Sequence, residues 1–122
     1  MTFSRGIRGA ITVDENSVSS ISEATVELLN KMINANSIES KDISHVIFSV
    51  TKDLNAAFPA KFARDIIGWS DVPMMCFNEA DIDDSLLKCL RVLIVINSEK
   101  PQSQIKHIYL KEAKCLRPDI SL

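Results

Sequence analysis

The feature that most constrains the fold of this chain is an apolar run in its last third, the segment KCLRVLIVI at residues 88–96. Seven of its nine residues are apolar, and several are β-branched, which predicts a strand buried within a sheet. A buried strand needs hydrogen-bonding neighbours, so the chain has to fold around a sheet. The run nevertheless contains Arg91, whose guanidinium stays charged at any working pH.

Four further strands and two helices are predicted around this run. β-Branched patterning predicts strands at 3–13, 43–51, 72–77 and 105–111, the first interrupted at its glycines. Helical spacing of apolar residues predicts a long helix over 20–36, with Ser20 and Glu23 as its capping box. A short helix is expected over 59–68, ending at Gly68. The 122 residues are expected to form a single α+β (α/β-like) domain spanning 1–122, with an irregular tail over 116–122.

Composition excludes several classes of function. The net charge is −2, from 14 basic and 16 acidic residues, so a nucleic-acid-binding surface is not expected. No apolar stretch approaches the about 18 residues of a membrane span, and the N-terminus lacks the apolar core of a secretory signal. We therefore predict a cytoplasmic protein. Three cysteines without a CxxC motif, and two distant histidines, predict neither a disulfide framework nor a metal site.

The arginines are the candidates for ligand binding. The chain has five of them, at positions 5, 8, 64, 91 and 117. Arginine suits carboxylates because its planar fork donates two parallel hydrogen bonds, so several arginines at one pocket would hold a ligand with more than one carboxylate. The alternative for Arg91 is an ion pair, with Glu79 as the candidate partner, or a side chain that snorkels from an edge strand. Solvated surface roles remain open for Arg8, Arg64 and Arg117.

Six segments taken together resemble a known family. In chain order they are RGIRGA, DLNAAFPAKFARDIIGW, VPMMCFNEADI, KCLRVLIVI, PQSQIKHIYL and LRPDISL. Their order and separations are similar to those of the trimeric, mixed-sheet chorismate mutases found in Bacillus. The resemblance implies a mixed five-stranded sheet, a homotrimer with a barrel-like core of packed sheets, and active sites between subunits. It also implies the Claisen rearrangement of chorismate to prephenate, on the way to phenylalanine and tyrosine, without a metal or cofactor.

The resemblance also implies roles for individual residues. Arg8, Arg91 and Tyr109 would hold the enolpyruvyl carboxylate, with Arg91 also donating to the ether oxygen. Arg91, Glu79 and Arg8 would be the catalytic residues, and Glu79 would act with Cys76 at the ring hydroxyl. The remaining implied contacts are the ring-lining Phe58, Ala60 and Met75, the cleft-closing Leu116, and the charged Lys61, Arg64 and Arg117 at the mouth. Met75 departs from the family, which usually has a small polar residue there.

Two other classes of function remain open from the sequence. A trimer of similar architecture could bind small carboxylates or hydrolyse enamines in the same kind of cleft. A structural or regulatory oligomerisation module could share the sheet without needing several arginines at one cleft. Glu79 three residues after Cys76, together with Arg8 and Tyr109, favours the chorismate mutase.

Overall fold

The computed structural model of the chain describes residues 1–120, which form one sheet with a long helix across one face. The elements, in chain order, are β1 (Phe3–Thr12), α1 (Val18–Asn36), β2 (Ile43–Val50), the short helix α2 (Pro59–Phe62), β3 (Met74–Asn78), β4 (Cys89–Ser98) and β5 (Ile108–Leu110). Within residues 1–120 the sheet has five strands in the order β3–β2–β4–β1–β5. None of the helices in this part of the chain has the length and apolar character needed to cross a bilayer.

Strand directions make the sheet mixed. The central strand β4 runs antiparallel to both of its neighbours, β1 and β2. At the two edges, β5 runs parallel to β1 and β3 runs parallel to β2. The mixed five-stranded sheet that the resemblance implies is therefore confirmed.

The apolar run at 88–96 lies in a buried strand, as predicted, which is the central strand of the sheet, and its two faces have different environments. Leu90, Val92, Ile94 and Ile96 are buried in the main core on the α1 side. Because successive strand residues point to opposite faces, Arg91 lies on the other side of the sheet. The core strand therefore accommodates an arginine on the face that α1 does not cover.

Helix α1 begins before Ser20, so the predicted capping box of Ser20 and Glu23 was wrong. Ser17 is the N-cap: its backbone is extended, and its hydroxyl accepts the Ser20 backbone N–H at 3.1 Å. Ser20 thus lies inside the first turn and does not cap the helix. The predicted end at Asn36 is confirmed, since Ser37 follows in the left-handed conformation with φ of 51°.

Strand β1 is continuous over ten residues, so the predicted interruption at the glycines was wrong. Gly9 instead allows the close approach of α1. A Cβ atom at position 9 would collide with the Met32 side chain and lie 3.2 Å from Leu28 Cδ1. The glycine thus fits the sheet against the buried face of the helix.

Strand β5 is shorter than the predicted 105–111 because a side chain of α1 binds the backbone of Lys106, two residues before the strand begins. The Asn36 amide donates to the Lys106 carbonyl at 2.8 Å and accepts the Lys106 N–H at 2.8 Å. Residues 105–107 are therefore tied to the end of α1, and pairing with β1 begins at 108. A 3₁₀ helix at Lys111–Leu116 follows the strand. The irregular tail predicted over 116–122 extends past the described residues at positions 121 and 122.

The short helix predicted over 59–68 is present in two parts. Pro59 begins α2, and the turn widens into a π-helical segment at Ala63–Ile67. Gly68 ends it with φ of 94°, as predicted. The next strand starts at Met74, two residues later than expected.

Candidate active site

A row of paired residues crosses the face of the sheet opposite α1. Tyr109 on β5 pairs with Ala10 on β1, Ala10 pairs with Arg91 on β4, and Arg91 pairs with Ser49 on β2. Paired residues of neighbouring strands point to the same face, so these four side chains lie side by side. The small side chain of Ala10 separates the tyrosine from the arginine.

Arg91 lies beside Glu79 without closing on it. Its Nε atom is 3.7 Å from Glu79 Oε1, and each side chain is about a quarter exposed, at 25% and 27%. The Ser49 hydroxyl donates to the same Oε1 atom at 2.5 Å. The Glu79 backbone N–H donates to the Val50 carbonyl at 2.8 Å, which fixes the residue just beyond the end of β3. The ion pair considered for Arg91 therefore exists, but as a long contact.

Two polar atoms in this row are buried without a protein partner. Among the side-chain polar atoms of residues 1–120, Arg91 Nε and the Tyr109 hydroxyl are the buried ones that lack a hydrogen bond. Buried polar atoms are almost always paired in folded proteins. Both atoms belong to the same row across the sheet, so together they form a pair of donors available to a ligand.

Tyr109 is held by a small second core on this face. It packs with Ala10, Cys89 and Ala113, all of which are buried. Leu116 packs against the edge of this cluster. The 3₁₀ helix Lys111–Leu116 therefore covers one end of the sheet face and places Leu116 against the cluster that contains Tyr109.

Arg8 lies on the same face as Arg91, at the exposed side of β1. Its backbone N–H donates to the ring Nδ1 of His107 at 2.9 Å. Burial, and then the nearby Arg117 and Arg8, lower the pKa of His107 below its usual value. A neutral imidazole is required here because Nδ1 accepts the hydrogen bond.

Arg117 is oriented by an acidic neighbour. Its Nε donates to Asp119 Oδ1 at 3.0 Å, and its Nη2 donates to Oδ2 at 2.9 Å. Asp119 is the main cause of the raised pKa of Arg117, and Tyr109 is a smaller one. Arg117 therefore lies near the Tyr109 hydroxyl but is not hydrogen-bonded to it.

Two of the predicted residues line a cavity at the β3 edge. The cavity has a volume of about 420 Å³, and Phe58 and Cys76 are among its lining residues. Phe58 is 70% exposed, and Cys76 is partly buried against the main core. Cys76 pairs with Phe48, which lies in the main core. The thiol therefore points to the α1 face of the sheet, away from Arg91.

Lys61 and Arg64 belong to the same side as this cavity. They lie on α2 and its π-helical extension, which pack against α1. Asp65 is 3.6 Å from Lys61 Nζ and 3.5 Å from Arg64 Nε. Both pairs are exposed, so they contribute little to folding.

Met75 lies on the same face of the sheet as Arg91. It pairs with Ile47 on the face opposite α1 and is 62% exposed. The twelve predicted residues thus divide into two sets. Seven are on or beside the Arg91 face, namely Arg8, Met75, Glu79, Arg91, Tyr109, Leu116 and Arg117. Five are on the cavity side, namely Phe58, Ala60, Lys61, Arg64 and Cys76.

The sequence analysis missed two residues of the Arg91 face, Ser49 and His107. Ser49 contacts the Glu79 carboxylate, and His107 accepts the N–H of Arg8. Strand alternation places Ser49 opposite the core residue Phe48, which is a signal for its face of the sheet. That Ser49 lies next to Arg91 depends on the register of β2 with β4, which a single sequence does not reveal.

The chain matches known proteins over nearly its whole length. The sequence model of the family described as "Chorismate mutase type I" matches residues 4–120. The chain is 43% identical over 118 residues to chorismate mutase AroH of Bacillus subtilis, covering 97% of this chain and 93% of that protein. It is 49% identical over 117 residues to chorismate mutase AroH of Thermus thermophilus, covering 95% of each.

A solved structure agrees with the fold. The chorismate mutase from Clostridium thermocellum superimposes with a TM-score of 0.87 at 47% sequence identity. The match covers 90% of this chain and 97% of that one. These similarities favour the chorismate mutase over the carboxylate-binding, enamine-hydrolysing and oligomerisation alternatives.

Proposed function

Since the chain belongs to the chorismate mutase type I family and is a chorismate mutase, we propose that the Arg91 face and the β3-edge cavity are the two halves of its active site. The observation that carries this proposal is the pair of buried donors at Arg91 Nε and Tyr109, which residues 1–120 leave without hydrogen bonds. An anionic substrate would complete both. The product, prephenate, would leave for phenylalanine and tyrosine synthesis.

The chemistry of the rearrangement suits this arrangement. Chorismate is a flexible dianion, and it has to curl into a compact chair before its bonds can change. Arg8, Arg91 and Tyr109 would hold the enolpyruvyl carboxylate and thereby select that conformer, which is a proximity effect. The reaction requires no nucleophile and no proton transfer, so the site needs positioned charges and a shaped cavity.

Arg91 would act on the bond that breaks. In the transition state the breaking C–O bond leaves partial negative charge on the ether oxygen. A fixed cation beside that oxygen stabilises the transition state more than the ground state. Arg91 is held on the central strand of the sheet, so its position costs little reorganisation during the reaction.

The cavity half of the site, together with Glu79 and Met75 of the Arg91 face, would hold the ring. Glu79 and Cys76 would face the ring hydroxyl, and Phe58, Ala60 and Met75 would line the ring. Lys61, Arg64 and Arg117 would attract the dianion to the mouth, which Leu116 would help to close.

The two halves would meet between copies of the chain. In one chain, Arg91 and the Cys76 thiol lie on opposite faces of the sheet, so a single copy does not direct both at one ligand. The Arg91 face also has a contiguous apolar region of Ile47, Leu93 and Met75. Apolar regions of this kind favour an interface between subunits. A homotrimer that packs these sheet faces together would bury that region and join the half-sites.

Mixing two inactive variants tests this arrangement. Arg91→Ala removes the cation of one half, and Phe58→Glu places a charge in the cavity of the other. Each variant alone should have lost most of its turnover of chorismate, measured as loss of chorismate absorbance. Subunits unfolded together and refolded as a mixture should regain activity, because some sites would combine two intact halves. Light scattering should give the mass of three chains. A fully active monomer, or no regained activity in a mixed trimer, would contradict shared sites.

A further inference from the structure

We infer that Ser49 is a positioning residue for the reaction, since its hydroxyl holds the Glu79 carboxylate and thereby keeps Arg91 free for the substrate. This inference rests on the proposed function of the Arg91 face. The Ser49 hydroxyl is 2.5 Å from Glu79 Oε1, and the same oxygen is 3.7 Å from Arg91 Nε. Ser49 is also the direct cross-strand partner of Arg91.

The separation of Arg91 and Glu79 is unusual for such near neighbours. An arginine and a carboxylate that meet freely form short, parallel hydrogen bonds of roughly 2.7 to 2.9 Å. Here the Nε atom is buried beside the carboxylate yet lacks a hydrogen bond within residues 1–120. Something has to hold the carboxylate back from the guanidinium.

Two contacts hold Glu79 in place. The backbone N–H donates to the Val50 carbonyl and continues the pairing of β3 with β2. The Ser49 hydroxyl then fixes the end of the side chain on β2. The carboxylate is thus oriented by β2, while the guanidinium belongs to β4. The short hydrogen bond to Ser49 therefore restrains the carboxylate at a distance from which the ion pair with Arg91 does not close.

Loss of the hydroxyl would let Glu79 turn toward Arg91 and close the pair. The substrate would then have to break that pair before its ether oxygen could meet the guanidinium. We expect Ser49→Ala to lower kcat by about tenfold, which corresponds to about 1.4 kcal/mol. The melting temperature should stay the same or rise, because the closed pair compensates for the lost hydrogen bond.

Three variants separate positioning from a general structural role. Ser49→Thr keeps the hydroxyl and should retain most of the activity. Ser49→Cys keeps the size but donates weakly, and should lose activity as the alanine variant does. The control is Ser44→Ala on the same strand, where the hydroxyl contacts His45 instead of Glu79. This variant should have normal kcat.

A double-mutant cycle identifies the route of the effect. If Ser49 acts through Glu79, adding Ser49→Ala to Glu79→Ala should cause little further loss of kcat. Additive losses, or normal kcat in both the alanine and cysteine variants, would overturn the inference. Failure of the proposed site itself would look different: Arg91→Ala and Glu79→Ala would then retain normal turnover. The cysteine variant decides the question if the alanine variant does not fold.

Discussion

The charge of Arg91 can be removed with almost no change of shape by replacing the residue with citrulline through chemical synthesis or semisynthesis. Citrulline keeps the length and planarity of the side chain but is neutral. If Arg91 faces the ether oxygen, its charge matters most as the C–O bond breaks. We expect kcat to fall by roughly 100- to 1000-fold, on the order of 3 to 4 kcal/mol, as for loss of one oxyanion donor. KM should change much less.

The expected change in the free energy of unfolding is much smaller than the expected change in the activation free energy. The contact with Glu79 is 3.7 Å long and partly exposed, and Nε has no hydrogen bond within residues 1–120. Ion pairs of this kind contribute about 0 to 1 kcal/mol. For a chain of this size, that corresponds to a shift of the melting temperature by about 5 °C or less. Removing the charge also removes the cost of burying it, which can offset this loss of stability.

Both quantities should be measured on the same preparation. Chorismate consumption gives kcat, and thermal unfolding gives the melting temperature. Citrulline at Arg5 is the matched control, because Arg5 donates to the Lys100 carbonyl at 2.7 Å, and the proposed mechanism does not use it. A large fall in melting temperature with near-normal kcat would refute the reasoning. Arg91 would then be a structural partner of Glu79.

Three further predictions concern the surroundings of the site. Cys76→Ser should keep substantial turnover, because burial raises the pKa of the Cys76 thiol and disfavours a thiolate nucleophile; a covalent chorismate adduct in mass spectrometry would contradict this. Arg117→Ala should raise KM more than it lowers kcat, because the Arg117 side chain is partly exposed and is paired with Asp119. Equal falls in kcat and kcat/KM would instead place Arg117 in transition-state stabilisation. The pKa of His107 is lowered on folding, so the unfolded chain binds the proton more readily. The stability from neutral His107 is present above its ordinary pKa of 6.5 and is lost as pH falls from that value through the lower folded pKa. Unfolding free energies at pH 7 and pH 5 should therefore differ more in the natural protein than in His107→Gln, and an equal difference would contradict this.

The sequence predicted those elements whose evidence is local. The run at 88–96 has the composition of a buried strand, and it is the central strand β4. Helix α1 ends at Asn36 as the spacing indicates, and Gly68 has the positive φ expected of a terminating glycine. The errors arose where two local signals competed. Ser17 and Ser20 are both plausible caps, and only the extended backbone of Ser17 decides between them.

Non-local contacts explain the remaining differences. The predicted strand at 105–111 is shortened because Asn36, about seventy residues earlier in the chain, binds both polar groups of the Lys106 backbone. Sequence pattern alone does not contain this contact. The same holds for the site: Tyr109, Arg91 and Ser49 lie in one row only because of the order and register of four strands. The resemblance supplied Arg91 and Tyr109, but it did not supply Ser49.

The Arg91 row also shows where the fold departs from the rules that stabilise it. A buried guanidinium nitrogen and a buried tyrosine hydroxyl each lack a hydrogen bond within residues 1–120, and such atoms normally reduce stability. Both occur on one face, on either side of Ala10, whose small side chain leaves space between them. Local sequence rules are most often violated at functional sites, and two violations side by side are hard to attribute to packing. A carboxylate bound over Ala10 would satisfy both atoms at once, so the substrate that we propose for this face would also stabilise it.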